Sequence, residues 1–264
     1  GHGGSLVVAT NGTVTLSLDI DKALGYTSGW ARIRSPNSQV REGWQTLLQK
    51  YACQFPGCQF DYLLHGTRFY GNKYKEYPYT AAGVFHFRDV VKIDHFDAHA
   101  AHAFYDSPFE RAVVVVSDGM NQNTLYLADR QRGWVRVAVT TGNWGLMYVA
   151  AVVELFHMPE PRYHPDFNRF MHLASQGTPR PEQWRGDVEA CLTLGWTEMV
   201  KRMRATVAPL TTEAQQRDFA ATVQALLGDY FVHFVRRGLR AAGAQKPDGV
   251  AFGGGVAFNT LMVA

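Results

Sequence analysis

Residues 112–119 read Ala-Val-Val-Val-Val-Ser-Asp-Gly. Four consecutive valines cannot alternate between core and solvent, so the segment predicts a strand buried on both faces. A chain with such a strand must cover its sheet on each side, which points to a layered α/β architecture. The strand runs straight into Asp118-Gly119. A carboxylate there either caps the turn or, at the C-terminal end of a buried strand, points into a crevice.

The surrounding pattern repeats in kind. Residues 5–19 place Asn11-Gly12 between two β-rich runs, a strong hairpin signal. Residues 124–127 and 134–140 flank a second turn at 129–133. Further strands are expected at 61–65, 90–93 and 249–252, with loops through the Gly- and Tyr-rich stretch 53–83. Helical spacing marks 38–51, 97–105, 146–156, 185–207 and 213–242. Two halves, each opening on a hairpin and closing on helices, predict a duplicated fold divided near residues 110–112, as 1–111 and 112–264. No sequence repeat accompanies it.

Composition narrows the classes. With 46% hydrophobic and 19% charged residues, the 264-residue chain is not intrinsically disordered. Its 25 Gly and 11 Pro follow no fixed period, which excludes a collagen-like chain. A net charge of +3 without a Lys/Arg cluster argues against a nucleic-acid partner. Cys53, Cys58 and Cys191 are too few for a disulfide framework; an odd count suits a reducing compartment, although Cys53 and Cys58 could pair in an oxidising one. No apolar run approaches the roughly 20 residues of a membrane span, and the opening residues lack the pattern of a secretory leader. A cytoplasmic protein without a membrane partner is the expectation.

Four segments carry residues suited to chemistry. In Asp94-His95-Phe96-Asp97-Ala98-His99-Ala100-Ala101-His102, helical spacing puts His95 and His99 on one face, about 6 Å apart, close enough to share a metal ion, with His102 one turn further on. One such pair among ten histidines carries little alone, and a packed or solvated helix explains it equally well. Asp118 would complete a two-His, one-carboxylate set of the kind that holds divalent iron and leaves positions open. Gly253-Gly254-Gly255, ahead of Asn259, matches neither the Rossmann nor the Walker pattern; it is either a tight turn or a close approach to a ligand's phosphate or ribose oxygens. Finally, Gly1-His2-Gly3-Gly4 offers an imidazole as a general base, or is simply a flexible terminus.

In this order the segments resemble the NodU/CmcH family of carbamoyltransferases. The opening Gly1-His2-Gly3-Gly4-Ser5 is similar to the family's Gly-His-Asp-x-Ser. Residues 94–109, ending Ala103-Phe104-Tyr105-Asp106-Ser107-Pro108-Phe109, resemble its Asp-His-His-x-x-His-Ala-x-x-Ala-Phe-x-x-Ser-Pro-Phe motif, and the spacing onward to Asp118-Gly119 fits. Met171, Leu173, Ala174 and Gly177 look like a degraded Lys-x-Met-Gly-Leu-Ala-x-x-Gly. Gly254-Gly255-Val256-Ala257-Phe258-Asn259 resembles Gly-Gly-Val-Ala-Leu-Asn.

The resemblance implies a duplicated ribonuclease H-like, actin-like ATPase fold with two subdomains and a ligand cleft. It implies a divalent metal, typically iron, held by His95, His99 and Asp118. A nucleotide would be held by Gly119, Gly253, Gly254, Gly255 and Asn259, with His2 as the catalytic base. The implied activity is transfer of a carbamoyl group to a hydroxyl of a natural-product acceptor such as an antibiotic. The donor is a carbamoyladenylate, made from carbamoyl phosphate and ATP by a YrdC-like C-terminal domain. That domain is absent from this sequence, as are a strand expected before His2 and helices expected after Asn259, so a fragment is the expectation. A homodimer is compatible with it. Departures from the family pattern fall at Gly3, at residues 19–22, and at Asp97 and His102, which the resemblance would set at the substrate cleft. They leave a second reading open, a catalytically altered nucleotide- or metal-binding module of the same fold. A tRNA threonylcarbamoyl transferase, disfavoured by the weak basic charge, and a metal-dependent hydrolase are further readings.

Overall fold

The computed structural model describes residues 5–11, 13–19, 49–50, 59–67, 86–118, 122–158, 166–243 and 246–263. The chain divides into two compact units, Gly1–His95 and Phe96–Ala264. In the first, β1 (Ser5–Thr10) and β2 (Thr13–Asp19) form the expected antiparallel hairpin, with Asn11 at φ 51°. Asn tolerates that left-handed conformation better than most residues, which is why it suits the turn. Strands β3 (Gln59–Thr67) and β4 (His86–Asp94) pair in parallel. The helix expected over 38–51 lies outside the described residues except for 49–50.

β4 passes without a break into helix α1 (His95–Tyr105). The units divide at the start of this helix rather than near 110–112, because α1 packs with the second unit: Phe96, Ala100 and Phe104 share a buried cluster with Val114, Val116, Tyr126, Ala128 and Ala251.

The second unit is a four-stranded mixed sheet in the order β7-β6-β5-β8. β5 (Arg111–Ser117), β6 (Gln122–Asp129) and β7 (Gly133–Thr141) form an antiparallel meander, and β8 (Gly249–Gly253) returns parallel to β5. All four valines of β5 are fully buried. Strand alternation then sorts them: Val114 and Val116 meet α1, whereas Val113 and Val115 join the larger core on the other face. The buried run thus forms the middle layer of a mixed α/β unit.

That larger core is supplied by α2 (Trp144–Leu155), α3 (Phe167–Gln176), α4 (Pro181–Cys191), α5 (Trp196–Val207) and α6 (Glu213–Ala242). A capping box at Thr212 and Gln215 starts the 30-residue α6. The single helix expected over 185–207 is two helices. The chain breaks between Cys191 and Trp196, and Asn143 meets the break: its backbone N–H donates to Leu192 O (3.0 Å) and its Nδ2 to Leu194 O (2.8 Å). Carbonyls that leave a helix need partners, and these come from a residue about fifty positions earlier. After β8 follow a 3₁₀ turn, Gly255–Phe258, and the short α7 (Thr260–Val263). Among the described residues no helix is long and apolar enough to cross a membrane.

Candidate metal centre

The β5–β8 register pairs Val116 with Gly253, so the chain leaves both parallel strands side by side. Asp118 therefore emerges next to the glycine turn, at the carboxyl ends of the strands, where α/β sheets leave a crevice. The turn tolerates no side chain. Gly254 has φ +85°, and a Cβ on it would lie 2.2 Å from Ser117 O; a Cβ on Gly253 would lie 2.8 Å from His99 O. The glycines are needed for close backbone packing against β5 and α1.

This packing brings the first of α1's histidine turns onto the strand ends. One ligand atom each from His95, His99 and Asp118 lie within 4.8 Å of one another. Among the described residues this is the only group of three such side chains. His99 Nε2 stands 3.7 Å from Asp118 Oδ2. Asp118 is 1% exposed, while the two histidines are half-buried, so the set has a closed back and an accessible front.

The donor chemistry fits a divalent transition metal: two imidazole nitrogens and a carboxylate oxygen, with positions left for other ligands. Atoms bound to one such ion at about 2.1 Å are at most about 4.2 Å apart, so small side-chain adjustments would close the set. The carboxylate's second oxygen, Oδ1, accepts from the Gly255 N–H at 3.3 Å, which ties the glycine turn to the metal ligand. Beneath it, Ser117 Oγ donates to Asn123 Oδ1 (2.5 Å), and Asn123 Nδ2 donates to Gly142 O and the Tyr230 hydroxyl. These bonds hold the end of β5. Burial raises the Tyr230 hydroxyl above its ordinary range, so it stays protonated.

The remaining expected residues fall differently. Asn259 is buried, and its amide is consumed by Gln224 on α6: each side-chain Nδ2 or Nε2 donates to the other's oxygen, at 2.9 and 3.0 Å. The Tyr148 hydroxyl also donates to Gln224 Oε1, and Met262 N to Asn259 Oδ1. Asn259 thereby pins the 3₁₀ turn and α7 to α6. Asp97 accepts from the Tyr126 hydroxyl (2.8 Å) and from Arg136 Nη2 (2.6 Å). Burial, then the bond to Asp97, pushes the Tyr126 hydroxyl well above its usual range and keeps it a donor. His102 is exposed and pairs with Asp106 one turn on (2.9 Å), outside the three-residue group. The second buried carboxylate among the described residues, Glu154, is taken by a two-pronged contact from Arg204 (2.8 and 3.2 Å). His2, Gly3 and Gly119 lie outside the described residues.

Sequence reading missed Gln224, Tyr126, Arg136 and Asn123. Each is an ordinary polar residue in a helix or strand, with no local signal to mark it. No protein-family model matches the chain, and no curated protein matches it.

Proposed function

We propose that the chain is the metal- and nucleotide-binding part of an O-carbamoyltransferase, acting on a hydroxyl of a small natural-product acceptor. The observation that supports it is the convergence of His95, His99 and Asp118, the three positions at which the family resemblance puts a metal. A duplicated actin-like fold with a cleft between two subdomains belongs to the same proposal. So do iron as the metal, ATP and carbamoyl phosphate as co-substrates, and a YrdC-like domain that forms the carbamoyladenylate.

A divalent metal bound by the three side chains would supply Lewis acidity at the acyl-phosphate end of the donor. The chain's own residues supply the rest. Gly253 and Gly254 pack the turn tightly against β5 and α1, and the turn at 253–255 is the segment proposed to meet the donor's phosphate. Asp118, held by the Gly255 N–H, keeps that turn beside the metal ligands. His2 is the base proposed to take the acceptor's hydroxyl proton.

A second reading has an observation in its favour. Asn259, assigned to the nucleotide by resemblance, has both amide atoms engaged by Gln224. A nucleotide- or metal-binding module with altered catalysis fits that engagement. Elemental analysis and calorimetry with a non-hydrolysable ATP analogue separate the two. The carbamoyltransferase reading expects a divalent metal that His95→Ala removes, nucleotide binding that depends on it, and carbamoyl-dependent ATP turnover with a YrdC-like domain present. Binding without turnover supports the module. Normal carbamoyl transfer by His95→Ala would overturn the metal-dependent mechanism.

A further inference from the structure

Helix geometry divides α1 into three stripes. At 100° per residue, Phe96, Ala100 and Phe104 form the apolar face seated on the sheet. His95 and His99 fall about 100–140° to one side of its centre, and Asp97 about 60° to the other. The histidine flank meets β8, where the His99 carbonyl packs against Gly253. The Asp97 flank meets β6 and β7. There Val114, Tyr126 and Arg136 are successive partners across the strands, and the Arg136 guanidinium lies over the Tyr126 ring at 5.5 Å. Asp97 Oδ1 closes that row by accepting from both Tyr126 and Arg136.

An apolar face alone lets a helix roll, because burial is not directional. Hydrogen bonds to a charged group are directional and stronger than neutral ones. Metal ligation needs distances held to about ±0.2 Å. A helix side chain ends about 5–6 Å from the axis, so a roll of roughly 10° moves it by about 1 Å. We infer that Asp97 is a positioning residue for the metal centre: its tether to Arg136 and Tyr126 fixes the roll of α1 and so aims His95 and His99 at Asp118. The inference rests on the metal half of the proposed function and not on carbamoyl transfer.

The test is a Co²⁺ titration of the full chain, following affinity and the visible d–d spectrum. Outer partners of metal ligands typically carry 10–100-fold in affinity. Asp97→Ala is expected to weaken Co²⁺ binding by about that factor and to shift the spectrum. Asp97→Asn, which keeps the shape and loses the charge, should do the same to a smaller degree and serves if the alanine variant does not fold. Arg136→Gln should weaken binding too, and the Asp97→Asn/Arg136→Gln pair should be no worse than the stronger single change, because both cut one tether. Phe104→Leu is the control: it loosens the same helix's packing, lowering Tm while leaving affinity and spectrum unchanged. Wild-type affinity and spectrum in folded Asp97→Asn and Asp97→Ala would overturn the inference alone. Failure of the wild-type chain to bind Co²⁺ would overturn the metal reading, and the inference with it.

Discussion

Two polar clusters flank the glycine turn, and they differ in the chemistry of their side chains. On one side, His95, His99 and Asp118 bring one candidate ligand atom each to within 4.8 Å of one another, with the histidines half-buried. On the other, Gln224 and Asn259 satisfy each other's amides, and Tyr148 and Met262 take up the remaining capacity of the two oxygens. A buried polar group must be paired. The amide cluster meets that demand within the protein and acts as a lock. The histidine–carboxylate cluster has a donor set that could hold a metal ion.

Metal binding should break the comparison most sharply. Asp118→Ala removes a ligand and the acceptor for Gly255 N–H together, so metal affinity should fall by at least about 100-fold. Asn259→Ala should leave metal affinity near that of the wild type. Equal losses in the two variants, measured by Co²⁺ or Zn²⁺ titration, would erase the distinction between ligand set and lock.

The turn between the clusters comes next. Gly254→Ala puts a Cβ into the Ser117 carbonyl at a positive φ. Strain and clash together should cost about 3 kcal/mol or more in urea denaturation. Because Gly255 also donates to Asp118, the variant should weaken metal binding as well. Stability loss with unchanged metal affinity would show that the turn only packs against the site.

Asn259→Ala then tests the lock itself. It strands Gln224 and removes the acceptor for Met262 N, so about 1–3 kcal/mol of stability should go. Gln224→Ala should match it, and the double variant should cost less than the sum of the two, as expected for partners in one interaction.

Which parts of this were legible in the sequence follows from how far each partner lies along the chain. The valine run, the Asn11-Gly12 turn and the i,i+4 histidines are local patterns, and the strands, hairpins and helix α1 follow from them. The histidine pair gained meaning only when β5 brought up Asp118, nineteen residues after His99. The break after Cys191 was not legible, because Leu192-Thr193-Leu194-Gly195 reads as helix until Asn143 satisfies its carbonyls. Asn259 hides its partner for the same reason. Its motif suggests a ligand contact, but Gln224 sits in the middle of α6, 35 residues earlier, with nothing local to mark it.

The smallest effect extends the comparison to a carboxylate whose acceptor capacity is met by its own turn. Asp129 ends β6 and accepts from the backbone N–H groups of Gln131 (2.8 Å) and Arg132 (3.0 Å), and those bonds hold its carboxyl below the ordinary value of 3.8. A depressed folded-state pKa means that the ionised form contributes stability above the unfolded value, and that the contribution is lost as pH falls through the folded one. Asp129→Asn mimics the protonated acid. Its Tm should therefore lie slightly below wild type at neutral pH, and the gap should close as pH drops from 3.8 through the lower folded value. Metal affinity should be unchanged throughout. A gap that persists in acid would mean that the asparagine disturbs the turn by shape instead of charge, and that the β6–β7 turn is set by more than this carboxylate.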